Sequence, residues 1–196
     1  MKIDSTTKSA ITKLNIHDLI QSVLKNMPDE WLHLTTHRLD IYNEKKAKLE
    51  FTESFEQLLE NKNITKKELQ KLPTAYDYIR LGHPLSCILE WTLAKLNDLS
   101  YSRVISFSSK TTPILAVLRK NLFDHKKTKI VYQNSLPADF DPTLVRAVYG
   151  YDFELQKIGD IEEIIPFEGS TLFIAQTDDF KSIEKQEAID FQLVIP

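Results

Sequence analysis

The chain has 196 residues, of which 42% are hydrophobic and 27% charged, and its formal net charge at neutral pH is -3. These values are typical of a globular protein of one or two domains and do not indicate a basic nucleic-acid-binding protein or an acidic tail. No apolar run approaches the roughly 20 residues of a membrane span, and the first residues have no secretory pattern, so we expect a cytoplasmic protein.

The first half of the chain carries apolar residues at helical spacing. Ile16, Leu19, Ile20, Val23 and Leu24 recur at i, i+3, i+4, i+7 and i+8, which predicts a first amphipathic helix. Three further helices are predicted in residues 28–42, from Pro28 through Trp31, Leu39 and Tyr42, in residues 49–59, and from the capping box "TKKE" (65–68) onward.

The stretch "YIRLGHPLSCILEW" (78–91) gathers an arginine, a histidine, the only cysteine and a glutamate. Gly82, His83 and Pro84 predict a turn into a helix, capped by His83 or a residue beside it. One cysteine excludes an internal disulfide and a Cys-x-x-Cys motif, so we expect Cys87 to pack as a small, inert hydrophobic residue. One side of this helix is predicted to carry Leu85, Ile88, Leu89, Leu93 and Leu96.

Beyond residue 97 the pattern changes to short β-rich runs separated by capped helices. Strands are predicted at "RVISF" (103–107), "KIVYQ" (129–133), "DFELQKI" (152–158), "STLFIA" (170–175) and "DFQLVI" (190–195). A helix at 111–122 is predicted to have Thr112 as its N-cap and Pro113 first. Another is predicted to start at Asp141 and Pro142 and to stop at Gly150, and "DIEEII" (160–165) predicts one helical turn.

The predicted elements define an α+β protein with a helical domain at 1–98 followed by a mixed sheet and helix domain at 99–196. Charge is distributed unevenly along the chain. Residues 95–129 contain eight basic residues against Asp98 and Asp124, whereas residues 151–196 contain eleven acidic residues against three lysines. These blocks are either solvated faces that partly neutralise each other or a docking surface for a charged peptide or protein.

The sequence contains few of the motifs that indicate a nucleotide, metal or anion site. The four glycines do not form a Gly-x-Gly-x-x-Gly or phosphate-loop spacing, which excludes nucleotide chemistry through those loops. His33 and His37 have the i, i+4 spacing of metal ligands, but no third ligand completes a motif. "SFSSK" (106–110) lies before a predicted helix start, where it could bind an anion or simply cap the helix.

Four longer strings resemble a known family. "THRLDIY" (36–42), "RLGHPLSCILEW" (80–91), "SFSSKTTPILAVLRKN" (106–121) and "YGYDFEL" (149–155) are similar, in this order, to strings of the methanobactin biosynthesis protein family MbnC. Members of that family are partner subunits of the multi-iron oxygenase MbnB. The helical half also resembles the N-terminal domain of the broader class of proteins that accompany such oxygenases, through the "RLDIY" segment.

This resemblance implies a heterodimer with a TIM-barrel iron enzyme that uses oxygen to convert cysteines of a short, MbnA-like precursor peptide into an oxazolone and a neighbouring thioamide. The iron and the chemistry would belong to the partner, and this chain would be a non-catalytic subunit without its own cofactor that binds the precursor's leader peptide. No nucleic acid or membrane would be involved. The candidate partner- or peptide-binding residues are Arg80, His83, Arg103, Ser108, Ser109, Lys110 and Arg119.

From these expectations a binding mode can be predicted. Short strands leave sheet edges, and an extended leader could add a strand to an edge within residues 100–196. The helical half and the "RLGHP" turn would then face the partner enzyme, and the basic block would favour an acidic leader or an acidic partner face.

A second resemblance leads to a different function. Residues 76–84 are similar to the "Y-x-Y-x-R-x-G-N-P" segment of the cystathionine γ-synthase family of pyridoxal-phosphate enzymes, and residues 107–110 resemble its phosphate loop more weakly. Lys110 stands where that family has a glycine. On this alternative the chain would be a degenerate or truncated cofactor enzyme.

Overall fold

The computed structural model of the chain describes residues 11, 13–33, 46–73, 83–177 and 186–196. These residues form two compact units, Met1–Ser106 and Phe107–Pro196, whereas the sequence placed the division at 98/99. The first unit is helical, and the second contains a four-stranded sheet with helices packed on it. The α+β class predicted from the sequence is confirmed.

Helices make up most of the described part of the first unit. Its described α-helices are α1 (Lys13–Asn26), α2 (Phe51–Glu60), α3 (Lys66–Leu69) and α4 (Pro84–Leu96), with 3-10 turns at Asp29–His33 and Tyr101–Arg103 and a π-helical turn at Lys46–Glu50. The predicted second helix is described only in the turn Asp29–His33. The remainder of that helix, with His37, Leu39 and Tyr42, and the side chain of His33 lie outside the described residues.

Aromatic residues form the centre of the first unit's core. Phe51 and Phe55 are stacked with ring centroids 6.0 Å apart, and Phe55 meets Trp91 edge-on at 5.5 Å. Trp31 contacts Phe51 edge-on at 6.1 Å, so aromatic rings from three elements pack together. The buried aliphatic residues of the same cluster are Val23, Leu59, Leu69, Leu72 and Ile88.

Helix α3 begins where the sequence predicted it. Thr65 caps this helix, since its Oγ1 accepts the Glu68 N–H at 3.3 Å, as the "TKKE" pattern predicted. The Glu68 carboxylate pairs with Lys71 at 2.7 Å. The helix has only four residues, so its N-cap starts a single turn.

The buried side of α4 differs from the predicted stripe. Leu89 is 48% exposed, while Trp91 and Cys87 are buried. The buried positions are Pro84, Cys87, Ile88, Glu90, Trp91 and Ala94. The apolar members recur at helical spacing, but the stripe is centred on Trp91 because the largest side chain contributes the most apolar area on burial.

The second unit is built on a wholly parallel sheet. Its elements are α5 (Thr112–Phe123), β1 (Thr128–Tyr132), α6 (Pro142–Tyr149), β2 (Phe153–Lys157), a 3-10 turn (Ile161–Glu163), β3 (Ser170–Gln176) and β4 (Phe191–Ile195). The strand order is β2-β1-β3-β4, with every neighbouring pair parallel. Four of the five predicted strands and the turn in "DIEEII" are therefore confirmed.

Different elements pack against the two faces of this sheet. On one face, Ile130, Leu172 and Ile174 pack with residues of α5 and α6, among them Ile114, Leu118 and Val145. On the other face, Val131, Phe173 and Ala175 pack with residues around the 3-10 turn, namely Ile158, Ile161 and Ile164. Strand β3 is buried over six consecutive residues, as expected for a central parallel strand covered on both faces.

Caps define the two helices of the second unit. Asp141 accepts the N–H groups of Thr143 and Leu144 at 2.8 and 3.1 Å, and Gly150 ends α6 with a φ of +65°, both as predicted. At α5 the prediction was wrong, because Thr112 lies inside the helix. The Ser109 hydroxyl accepts the N–H groups of Thr111 and Thr112 at 3.2 Å each and takes the capping role.

The predicted strand at residues 103–107 is also wrong. Arg103 ends a 3-10 turn, and Val104, although extended (φ -114°, ψ 129°), does not belong to any ladder. Side chains take the place of a neighbouring strand. Lys48 Nζ donates to the Val104 carbonyl at 2.6 Å, and the Ser106 N–H donates to the Glu90 carboxylate at 2.7 Å.

Candidate functional site

His83 begins the helix that carries most of the chemically notable residues. Its Nδ1 accepts the N–H of Leu85 at 3.1 Å, and Pro84 occupies the first helical position. This confirms the prediction that a helix starts at Pro84 with His83 at its cap, while Gly82 lies outside the described residues. Arg80, also a candidate binding residue, lies outside the described residues.

Cys87 faces the core of the first unit. Its side chain is 3% exposed. Burial, and secondarily the negative charge of Glu90, raises the pKa of the Cys87 thiol from 9.0 to about 12. A thiol acts as a nucleophile or metal ligand only as the thiolate, so at neutral pH this residue fills space.

A buried ion pair lies one helical turn from Cys87. Lys48 Nζ is 2.6 Å from the Glu90 carboxylate, and the two side chains are 22% and 8% exposed. The other Glu90 oxygen accepts both the N–H and the hydroxyl of Ser106, at 2.7 and 2.9 Å. Since Lys48 also donates to Val104, these two side chains fix residues 104–106 to the helices. We call Lys48, Glu90, Val104 and Ser106 the Glu90 cluster.

Sequence reasoning missed the Glu90 cluster. Its members come from three separate parts of the chain, so no spacing rule links Lys48 to Glu90. One signal was available, because Glu90 stands between Leu89 and Trp91 within an apolar helix. An acidic residue in that position is rarely buried unless it is paired, and it therefore predicts a distant cation.

The carboxyl ends of the parallel strands provide a second candidate region. Strand β2, which follows β1 in the chain, lies on one side of β1, and β3 lies on the other side. A topological switch point therefore lies between β1 and β3, and open parallel sheets commonly bind ligands at such a point. Gln176 spans this point, donating to the carbonyl and hydroxyl of Ser135 at 3.2 and 3.3 Å. A shallow depression beside it is lined by Lys110, Gln176, Thr177, Ile195 and Pro196.

One of the predicted site residues, Lys110, lies in this region. Its ammonium group donates to the Pro196 carbonyl at 3.2 Å. Ser109 lies next to it in the sequence but acts as the cap of α5, while Ser108 is exposed. Within residues 106–110, capping is therefore observed for Ser109, and Lys110 is the residue that faces the depression.

The remaining predicted residues are dispersed. Arg103 is exposed at the end of its 3-10 turn in the first unit. Arg119 is exposed on α5 in the second unit, with its guanidinium 5.6 Å from the ring centroid of Phe123. The six described candidate residues are thus divided between the two units, and among them only Ser108, Ser109 and Lys110 form a local group.

The sheet has an open edge at β2. The Ile158 N–H donates to Tyr132 of β1. Main-chain groups alternate in direction along a strand, so those of Phe153, Leu155 and Lys157 point to the outer side of β2. At this edge Arg146 already donates to the Phe153 carbonyl at 2.8 Å.

A second edge lies at β4. There the Ile195 carbonyl accepts the Thr177 N–H from the β3 side. By the same alternation, the main-chain groups of Gln192 and Val194 point outward. Among the described residues, no strand pairs with the outer side of β2 or β4.

Comparison with known proteins gives little support for an assignment. Family models were searched and none matches, and no solved structure matches. A human V-type proton ATPase subunit S1-like protein is 28% identical over 104 residues, which cover 53% of this chain and 45% of that protein. The chain thus spans less than half of this relative. In the described part of the chain, no group of three or more metal-ligating side chains was found, and no helix is long and apolar enough to cross a membrane.

We predict that the Cys87 thiol in the folded chain resists alkylation by iodoacetamide at pH 8. Three pKa units lower its thiolate fraction about a thousandfold relative to the unfolded chain, in addition to the steric protection of burial. Mass spectrometry with and without urea measures the rates. Equal rates in both conditions would contradict this.

The same pKa shift predicts a pH dependence of stability. The unfolded thiol loses its proton above about pH 9 while the folded thiol keeps it until about pH 12, so the stabilisation is full below pH 9 and is lost progressively between these values. The difference in free energy of unfolding between wild type and Cys87→Ala should therefore decrease as the pH rises through this range. Urea titrations at several pH values measure it.

For the Glu90 cluster we predict that Glu90→Gln lowers the free energy of unfolding by about 2 to 4 kcal/mol, because Lys48 is left without its carboxylate in a largely buried place. The double variant Lys48→Met/Glu90→Gln should lose less than the sum of the single changes. A matched control is Glu68→Gln at the exposed pair with Lys71, which should cost at most about 1 kcal/mol. Equal losses at both sites in urea titrations would contradict the assignment.

Proposed function

We propose that this chain is a non-catalytic partner subunit of a multi-iron, peptide-modifying oxygenase and that it binds the leader of a precursor peptide. The proposal starts from the four strings that resemble MbnC proteins. The structural observation that carries the binding part is the sheet of the second unit, whose outer strands have unpaired main-chain groups among the described residues. An extended peptide can bind such an edge through its own main chain.

Of the two edges, β4 is the better candidate for an added strand. On β2 the Arg146 guanidinium donates a hydrogen bond to the Phe153 carbonyl, and Lys157 places a positive charge at the end of the strand. Such side chains discourage strand pairing. On β4 the outward main-chain groups of Gln192 and Val194 are not engaged by any described residue. We therefore place the leader along the outer side of β4.

Under this proposal the two kinds of chemistry are divided between subunits. The partner oxygenase would hold the iron and convert precursor cysteines into oxazolone and thioamide groups on the way to a copper chelator. This chain would position the leader so that the cysteines reach the partner's active site. A buried Cys87 with a raised thiol pKa is consistent with a subunit that does not itself react with the peptide.

The first test is co-expression of this chain with a barrel iron enzyme encoded by a neighbouring gene. We expect the two to co-purify as a heterodimer and the iron to follow the partner when the subunits are separated. Metal analysis of this chain alone is the control. Stoichiometric iron in the isolated chain, or the absorbance band of bound pyridoxal phosphate, would refute the proposal, the latter in favour of the alternative family.

The second test maps the leader. Amide hydrogen exchange of the complex with and without the synthetic leader peptide should show new protection at Gln192 and Val194, because their N–H groups would acquire partners. Leu155 and Lys157 on the β2 edge are the internal control and should be unchanged. New protection confined to the helical unit, with the sheet unchanged, would disprove the binding mode.

A further inference from the structure

Helix α6 (Pro142–Tyr149) exposes most of its apolar residues. Leu144 is 57% exposed, Val148 62% and Tyr149 53%, while Val145 is the residue buried against the sheet. A crossover helix on a sheet normally turns a polar face to solvent. Leu144 and Val148 are four residues apart and therefore lie on one side of the helix, where they form a continuous apolar stripe.

Two tyrosines lie at the C-terminal end of the helix and just beyond it. Tyr149 and Tyr151 are stacked, with ring centroids 5.5 Å apart and an angle of 11° between the ring planes. We define the α6 surface as Leu144, Val148, Tyr149 and Tyr151. Leu144, Val148 and Tyr149 are exposed, whereas Tyr151 is half-buried and also packs on the core of the second unit. Groups of exposed apolar and aromatic side chains are typical of protein-binding sites.

The charged residues next to α6 in the sequence are mainly acidic. Within residues 133–156 the acidic residues are Asp139, Asp141, Asp152 and Glu154, and Arg146 is the sole base. The Arg146 guanidinium is engaged, since it donates to the Phe153 carbonyl at 2.8 Å and lies 4.2 Å from the centroid of that residue's ring. Asp139 precedes the helix and Asp152 follows it, so exposed carboxylates lie beyond both of its ends.

We propose that the α6 surface binds a basic amphipathic helix of a partner protein. The apolar side of that helix would pack on Leu144 and Val148, and its lysines or arginines would approach Asp139 and Asp152. Negative charge disfavours nucleic acids and anionic membranes at this place and favours a cationic polypeptide. The proposal does not depend on the oxygenase partnership or on the β4 edge, because it uses a different surface of the second unit.

The test uses the full chain and a fluorescein-labelled model peptide of about 18 residues, with leucines at i, i+3, i+4 and i+7 and lysines elsewhere, long enough to form a helix. We expect saturable binding in fluorescence anisotropy that weakens as salt is raised. The variant Leu144→Gln/Val148→Gln should weaken binding at least about tenfold, because two apolar contacts are removed. Asp152→Asn should weaken it by a smaller factor.

Matched controls distinguish binding at the α6 surface from non-specific hydrophobic or electrostatic binding. Leu122→Gln/Phe123→Gln removes two comparably exposed apolar residues from α5, 49% and 68% exposed, and should bind as wild type does. A peptide with glutamates in place of the lysines should not bind. The proposal is overturned if the α6 variant, folded by circular dichroism, binds like wild type, if the α5 variant loses binding equally, or if the acidic peptide binds as well.

Discussion

The Glu90 carboxylate is buried in the helical unit, and a carboxylate loses several kcal/mol of hydration when water is removed from around it. Three donors offset this loss: the Lys48 ammonium group and the N–H and hydroxyl of Ser106. The requirement to satisfy one buried charge therefore determines the path of the chain after α4. Val104 is extended as in a strand, yet its carbonyl and the N–H of Ser106 are hydrogen-bonded to the side chains of Lys48 and Glu90.

In the second unit the governing constraint is the parallel arrangement of the strands. Parallel neighbours need crossover connections, and the connection from β1 to β2 places α6 on the same face as α5. The opposite face is covered by the short turn Ile161–Glu163 and its neighbours. Since an open parallel sheet has two outer strands, no strand among the described residues pairs with the outer sides of β2 and β4.

Local chemistry was the most predictable part of this fold. Asp141, Pro142 and Gly150 act at α6 as their types predict, and four strands follow their β-rich runs closely, because caps and strand propensity depend on neighbouring residues. The strand predicted at 103–107 does not form, because this segment is hydrogen-bonded to Glu90 and Lys48. These two residues pair with each other although they are 42 positions apart in the chain. The parallel strand order likewise depends on long-range pairing. For the same reason the sequence predicted the local cap at His83 but not the ion pair of Lys48 with Glu90.

The caps also explain why α6 can expose apolar residues without loss of the fold. Asp141 satisfies two N–H groups at its start, Pro142 fixes the first turn, and Gly150 provides a stop without strain. Val145 then anchors the helix in the core, and Arg146 ties it to β2 through the Phe153 carbonyl. Since these few residues define the helix, Leu144 and Val148 are not needed to form it. Their apolar character is unexplained by folding, and this favours a role in contact with another protein.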